Sequence, residues 1–87
     1  MKLLLALLLM LHNTNYAVTV GYTTEGCNFT EPDGTECAYV EMLDGTGWIF
    51  EDTLEEEETY IVVVDTKGTK SIYDDVAIYW KLAKDMN

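Results

Sequence analysis

The sequence predicts an α+β domain, in which a small antiparallel sheet of about four strands has a C-terminal helix packed on it. Residues 1–17 would add an N-terminal helix if they are retained in the mature protein. Two observations predict this fold class. Four segments rich in β-branched and aromatic residues are separated by turn signals, and apolar residues at helical spacing follow the last of them. The chain has 87 residues, which is enough for one domain with one modest core, so residues 1–87 are assigned to a single domain.

Residues 1–17 fit two structures. Met1 and Lys2 precede an apolar run from Leu3 to Leu11, and a polar stretch then ends at Ala17. This order is typical of a secretory signal peptide, and the run is shorter than the roughly 20 residues that a membrane-spanning helix needs. If the segment is retained, it predicts a helix that is buried on all sides, with one face against the sheet and the other against a partner subunit or loops. Both alternatives stay open.

The strand predictions follow the apolar pattern. Tyr16 to Tyr22 alternates, with its large side chains on one face, and predicts a half-buried strand. The polar stretch from Thr23 to Glu36 predicts turns. Cys37 to Leu43 and Trp48 to Asp52 predict a hairpin, because the glycines between them tolerate the positive φ of a tight turn.

The last third of the chain predicts a central strand and then a helix. Tyr60 to Val64 is apolar on both faces, as in a strand covered on two sides. The connection before it, from Thr53 to Glu58, has capping-box spacing for one helical turn. Ser71 has the same spacing to Asp74 and predicts the start of the C-terminal helix. An apolar stripe at helical spacing supports that helix, formed by Ile72, Val76, Tyr79, Trp80 and Ala83.

The residues that carry chemistry are few. The sequence has one histidine, His12, in the leader, and its one serine, Ser71, is explained as a helix cap, so a nucleophilic triad is not predicted. Cys27 and Cys37 lie ten positions apart, which fits neither a zinc site nor a Cys-x-x-Cys redox motif. They flank a turn and would permit one disulfide. The sequence therefore predicts a protein that is not an enzyme and that holds no metal or cofactor.

The charge of the chain is lopsided. There are 16 acidic and 5 basic side chains, for a formal net charge of -11. From Glu25 to Asp65 the chain carries 13 carboxylates and no lysine or arginine. Such a surface speeds association with basic proteins, whereas direct binding to nucleic acid or to an anionic membrane requires lysine and arginine. We therefore expect a basic protein as the partner.

The carboxylates of the predicted hairpin and its exit loop are the candidate partner-binding residues. Side chains on one face of a strand repeat about every 6.6 Å and strands lie about 4.8 Å apart. These spacings are comparable to the phosphates of a DNA strand, which repeat about every 3.4 Å. The candidate set is Glu41, Asp44, Glu51, Asp52, Glu55, Glu56, Glu57 and Glu58.

In size, acidity and lack of catalytic groups the chain resembles phage-type inhibitors that mimic DNA, such as anti-CRISPR, anti-restriction and uracil-DNA glycosylase inhibitors, and small immunity proteins that neutralise nucleases. The resemblance is one of composition and size, so it carries over no individual residue. It implies a cytoplasmic inhibitor of a basic, nucleic-acid-binding protein. The alternative is a secreted extracellular ligand or effector, cleaved near Ala17 and closed by a Cys27–Cys37 disulfide.

Overall fold

The computed structural model describes residues 15–68, 70 and 75–86, and in them the chain forms one antiparallel sheet. Its strands are β1 (Tyr16–Tyr22), β2 (Asn28–Thr30), β3 (Glu36–Met42), β4 (Gly47–Phe50), β5 (Thr59–Asp65) and β6 (Val76–Leu82). A short 3-10 turn, Ala83–Asp85, follows β6.

The sheet is curled into a half-barrel. β3 pairs with β2 and β1 along one edge and with β4 along the other, while β1 continues the sheet through β5 to β6. β4 and β6 are therefore the outer strands. The curl brings them together at one point, where the rings of Phe50 and Trp80 lie 4.5 Å apart between centroids.

The core fills the concave face of this half-barrel. β3 contributes Ala38, Val40 and Met42, and β5 contributes Tyr60, Val62 and Val64. Both sets alternate along their strands, as expected when one face of a sheet is buried. The remaining buried members are Cys27, Phe50 and Leu54, with Trp48, Ala77, Trp80 and Leu82 packed partly against them.

β1 confirms the predicted strand, but its one buried residue, Gly21, lies on the face opposite the large side chains. Val18 and Tyr22 are 37% and 40% exposed, whereas Gly21 is buried. A Cβ added at Gly21 would lie 2.5 Å from Cγ1 of Val40, so the large side chains of β3 and β5 fill the space above β1. Alternation alone therefore identified the strand and not its buried face.

The predicted α+β class is wrong, because the segment expected to form the C-terminal helix contains strand β6. Val76–Leu82 pairs with β5, and the register shifts between Val63 and Val64. Val64 lies opposite Ala77 and Val62 opposite Trp80, so the bulge puts residues three apart on the same face. This produces an apparent helical period in a strand that is rich in β-branched and aromatic residues.

The connections also differ from the sequence prediction. The predicted turn region contains the short strand β2, and the described residues form six strands instead of four. Thr53 to Glu58 forms no helical turn, since Glu57 has a φ of 55°. The hairpin between β3 and β4 and the central position of β5 are confirmed. The predicted N-terminal helix and the Ser71 cap lie outside the described residues.

Candidate partner-binding surface

The loop that carries Glu55 to Glu58 is fastened to the core by Asn28. The side chain of Asn28 donates from Nδ2 to the carbonyl of Leu54 (2.8 Å) and accepts at Oδ1 from the Leu54 N–H (2.9 Å). Leu54 itself is buried in the core. An amide side chain thus acts as a strand partner for the loop and holds its backbone at the end of β2.

Thr23 fixes the second half of the same loop. It is the one buried polar or charged residue in the described part of the chain. Its hydroxyl donates to the carbonyl of Glu55 (2.6 Å) and accepts from the N–H of Glu58 (3.0 Å). The Tyr60 hydroxyl accepts from the Glu55 N–H at 2.8 Å. The backbone of the glutamate run is therefore pinned, while its side chains point toward solvent or to surface partners.

Besides the Glu55 to Glu58 loop, a second cluster of acidic residues surrounds Cys37, near the start of β3. Glu31, Asp33 and Glu51 line a shallow surface depression together with Cys37 and Ile49. Burial raises the pKa of the Cys37 thiol, and the negative charges of Glu31, Glu51, Asp33 and Glu36 raise it further. Glu31, Asp33 and Glu36 lie within six residues of Cys37 in the sequence, whereas Glu51 is brought to the same place by the pairing of β4 with β3.

The two acidic groups lie at the same end of the half-barrel. In the pairing of β2 with β3, Thr30 lies opposite Glu36. β4 ends at Phe50, opposite Ala38, so Glu51 and Asp52 come next to the start of β3. Glu56 reaches back to accept from the N–H of Gly26 at 2.7 Å. We call this surface the acidic end. It comprises Glu25, Glu31, Asp33, Glu36, Glu51, Asp52, Glu55, Glu56, Glu57 and Glu58.

One cation is embedded in the acidic end. Lys84 donates to Oε2 of Glu58 at 2.9 Å and lies 3.9 Å from Oε1 of Glu55. The hydrogen bond to Glu58 and the charge of Glu55 raise the pKa of Lys84. The uninterrupted run of acids in the sequence is therefore interrupted in space by a lysine that follows β6, although the surface stays strongly negative.

At the opposite end of the half-barrel, the described residues carry three carboxylates and two lysines, so their charges nearly balance. Asp65 pairs with Lys67 at 3.4 Å, and Lys70 lies in the same connection after β5. Asp44 and Asp75 add two carboxylates there. Within residues 15–68, 70 and 75–86, negative charge is therefore concentrated toward one end of the strands.

The fold brings together six of the eight candidate partner-binding residues. Glu51, Asp52 and the run from Glu55 to Glu58 belong to the acidic end. Glu41 lies instead near the C-terminal end of β3, opposite Gly47, and Asp44 lies in the hairpin turn that follows β3. Asp52 also accepts from the Trp80 indole N–H at 2.8 Å, so it has a structural role.

The candidate set from the sequence did not include Glu25, Glu31, Asp33 and Glu36. All four belong to the stretch predicted as a polar turn region. The sequence contains no sign of β2. β2 pairs with β3 and is hydrogen-bonded through Asn28 to Leu54, so the turn that follows β2 lies beside the Glu55 to Glu58 loop. Three residues between two turns are too few for an apolar period to identify the strand.

The two cysteines are free and buried. Register places Cys37 opposite Phe29, while the Tyr39 N–H donates to the carbonyl of Cys27 at 2.9 Å, so the two cysteines are offset along the strands. Both thiols are free in this structure, which does not contain the disulfide that the sequence permits. Burial and the charge of Glu56 raise the pKa of the Cys27 thiol.

Within residues 15–68, 70 and 75–86, no group of three or more histidine, cysteine or acidic side chains is arranged to hold a metal ion. The same residues contain no helix of the length and apolarity that a membrane span requires. Comparisons with protein-family models, with curated proteins and with solved structures find no match to this chain.

Proposed function

We propose that this chain is a non-enzymatic inhibitor that acts in the cytoplasm of a host cell, where its acidic end occupies the basic cleft of a nucleic-acid-binding protein. The observation that supports the proposal is the concentration of carboxylates at one end of the half-barrel, where ten described carboxylates lie, against three carboxylates and two lysines among the described residues of the opposite end. Charge that is scattered evenly would serve solubility, whereas a polarised distribution steers one surface toward a basic partner.

The backbone under the acidic end supports the same function. Thr23 and Asn28 fix the loop of glutamates through four hydrogen bonds, two made by each side chain. A surface that is already ordered loses less conformational entropy when it binds. A rigid array of carboxylates is also what a mimic of a nucleic-acid backbone requires, because phosphates are held at fixed spacing.

The partner is a protein whose own ligand is a nucleic acid, such as a restriction endonuclease, an RNA-guided nuclease or a uracil-DNA glycosylase. The test is displacement of fluorescently labelled duplex DNA from a panel of these enzymes, followed by anisotropy at salt concentrations from 50 to 300 mM. We expect displacement from at least one enzyme, weakening as salt rises, because screening reduces attraction between exposed charges. Absence of displacement from every enzyme at the lowest salt would reject the proposal.

Two triple variants of equal net charge distinguish the effect of the acidic end on DNA displacement from the effect of total charge. The test variant carries Glu25→Gln, Glu51→Gln and Glu57→Gln, whose carboxylates make no hydrogen bond or ion pair that the fold depends on among the described residues. The control carries Glu41→Gln, Asp44→Asn and Asp65→Asn, which change the net charge equally but lie outside the acidic end. We expect the test variant to lose at least about tenfold in displacement and the control to lose less than about threefold. Equal losses would mean that only net charge matters.

A further inference from the structure

The two outer strands leave an open seam. β4 and β6 form no backbone pairing, and they meet through Phe50 and Trp80 and through the bond from Trp80 to Asp52. Away from that contact the seam widens into a cleft of about 420 Å³. Its walls are mainly apolar and include Ala17, Met42, Trp48 and Val64, with Asp75 at the β6 side.

The aromatic wall of this cleft is fixed in place. The Trp48 indole N–H donates to the Thr46 hydroxyl at 3.0 Å, and that hydroxyl donates to Oδ1 of Asp44 at 2.6 Å. Asp44 also accepts from the Thr46 N–H at 3.0 Å. This chain of hydrogen bonds orients the indole ring before any ligand arrives, and the ring remains partly exposed on the seam.

One oxygen of the Asp75 carboxylate lacks a hydrogen-bond donor within the described part of the chain. Asp75 lines both the apolar cleft and the adjoining part of the seam that reaches Glu51. Its Oδ1 is buried and has no hydrogen-bond partner among the described residues. A buried carboxylate oxygen without a donor is costly, so a donor from outside the chain would bind there favourably.

We infer that the cleft receives one arginine side chain of the basic partner. The aliphatic stem would contact Met42 and Val64, and the guanidinium would lie against Trp48 and donate to Asp75. Arginine suits this site because its planar cation stacks on aromatic rings and donates several hydrogen bonds at once. The cleft lies toward the end opposite the acidic end. An adjoining depression shares Trp48 and Asp75 with it and reaches Glu51, so a basic surface that extends along this depression from the acidic end can insert a side chain into the cleft. The inference rests on the proposed function for its choice of partner.

The experiment uses N-acetyl-L-arginine methylamide as the probe and N-acetyl-L-citrulline methylamide as its uncharged counterpart. Each is titrated into the full-length protein while the Trp48 indole and the Asp75 amide are followed by two-dimensional NMR. We expect saturable shifts at both groups with the arginine probe, with a dissociation constant in the millimolar range, and no such shifts with citrulline. Equal shifts with citrulline, or none at Trp48 with arginine, would overturn the inference.

Two variants complete the test. Asp75→Asn removes the charge without changing the shape, and we expect it to weaken binding of the arginine probe about tenfold. Glu41→Gln, which changes the net charge equally but lies outside both the cleft and the acidic end, should alter binding of the arginine probe by less than about twofold. If Asp75→Asn perturbs folding, Trp48→Leu tests the aromatic wall instead and should also weaken the probe. Unchanged binding in the folded variants would exclude the cleft as the site.

The outcomes separate the two proposals. If the probe fails to bind in the cleft while the acidic-end triple variant loses displacement of DNA, the inhibitor proposal stands and the arginine site is wrong. If the probe binds at Trp48 and Asp75 while the triple variant displaces DNA as well as the unmodified protein, the cleft is an arginine site and the proposed function is wrong.

Discussion

The indole of Trp80 on β6 packs against the ring of Phe50 on β4, at a centroid distance of 4.5 Å and an interplanar angle of 36°. The two strands are at opposite edges of the sheet, so this aromatic pair closes one point of the half-barrel. The Trp80 N–H, which donates to Asp52, ties the same point to the loop that carries the acidic end. The Trp80 side chain therefore links the curvature of the sheet to the position of the loop that carries the carboxylates of the acidic end.

Trp80→Ala should destabilise the fold by about 2–4 kcal/mol, since it removes much of an aromatic side chain from the seam. Trp80→Phe keeps a ring there but loses the bond to Asp52, and it should cost less. In a double-mutant cycle with Phe50→Ala, we expect a coupling of about 0.5–1.5 kcal/mol. Urea unfolding followed by far-UV circular dichroism measures all three, and a coupling near zero would show that the two rings act independently.

Thr23→Val should destabilise the protein by about 1–3 kcal/mol, because the carbonyl of Glu55 and the N–H of Glu58 lose their shared hydroxyl partner while the shape is kept. Thr23→Ser retains the hydroxyl and serves as the control. Hydrogen exchange at the Glu58 amide should accelerate in the valine variant and stay slow in the serine variant. Slow exchange in both would contradict the role given to Thr23.

Gly21→Ala should destabilise the protein by about 1–3 kcal/mol, through overpacking of the core. The added Cβ would meet Val40 Cγ1 at 2.5 Å and Met42 Sδ at 3.1 Å. Combining it with Val40→Ala frees that space, so the double variant should be more stable than the sum of the two single effects. Thermal unfolding of the four proteins provides the comparison, and simple additivity would argue against a steric cause.

Asp44 should contribute to stability in a pH-dependent way. Hydrogen bonds from the hydroxyl and N–H of Thr46 hold the pKa of Asp44 below its usual value, which is about 3.9. A group with a lowered pKa stabilises the fold above its usual pKa, and this contribution disappears as pH falls through the lowered value. The difference in free energy of unfolding between the unmodified protein and Asp44→Ala should therefore be largest at pH 7 and shrink below pH 4. A difference that stays constant down to pH 2 would contradict this cause.

The acidic end could be anticipated only in part. The absence of bases between Glu25 and Asp65 is visible in the sequence, and the fold keeps most of these carboxylates together. The position of Lys84 beside Glu55 and Glu58 was not predictable. It depends on β6 pairing with β5, which carries the C-terminal residues to the start of β5.

Local chemistry by itself determined the strands β1, β3, β4 and β5, the tight turn at Asp44 to Gly47 and the lopsided charge. Those features depend on neighbours in the chain, namely alternation, β-branched residues and glycines. Tertiary structure decided the rest: which face of β1 is buried, that the last segment is a bulged strand and not a helix, and that the seam between β4 and β6 stays open. Each depends on contacts between residues far apart in the chain, because a bulge changes the side-chain period and a glycine faces the core only where larger side chains fill the space above it.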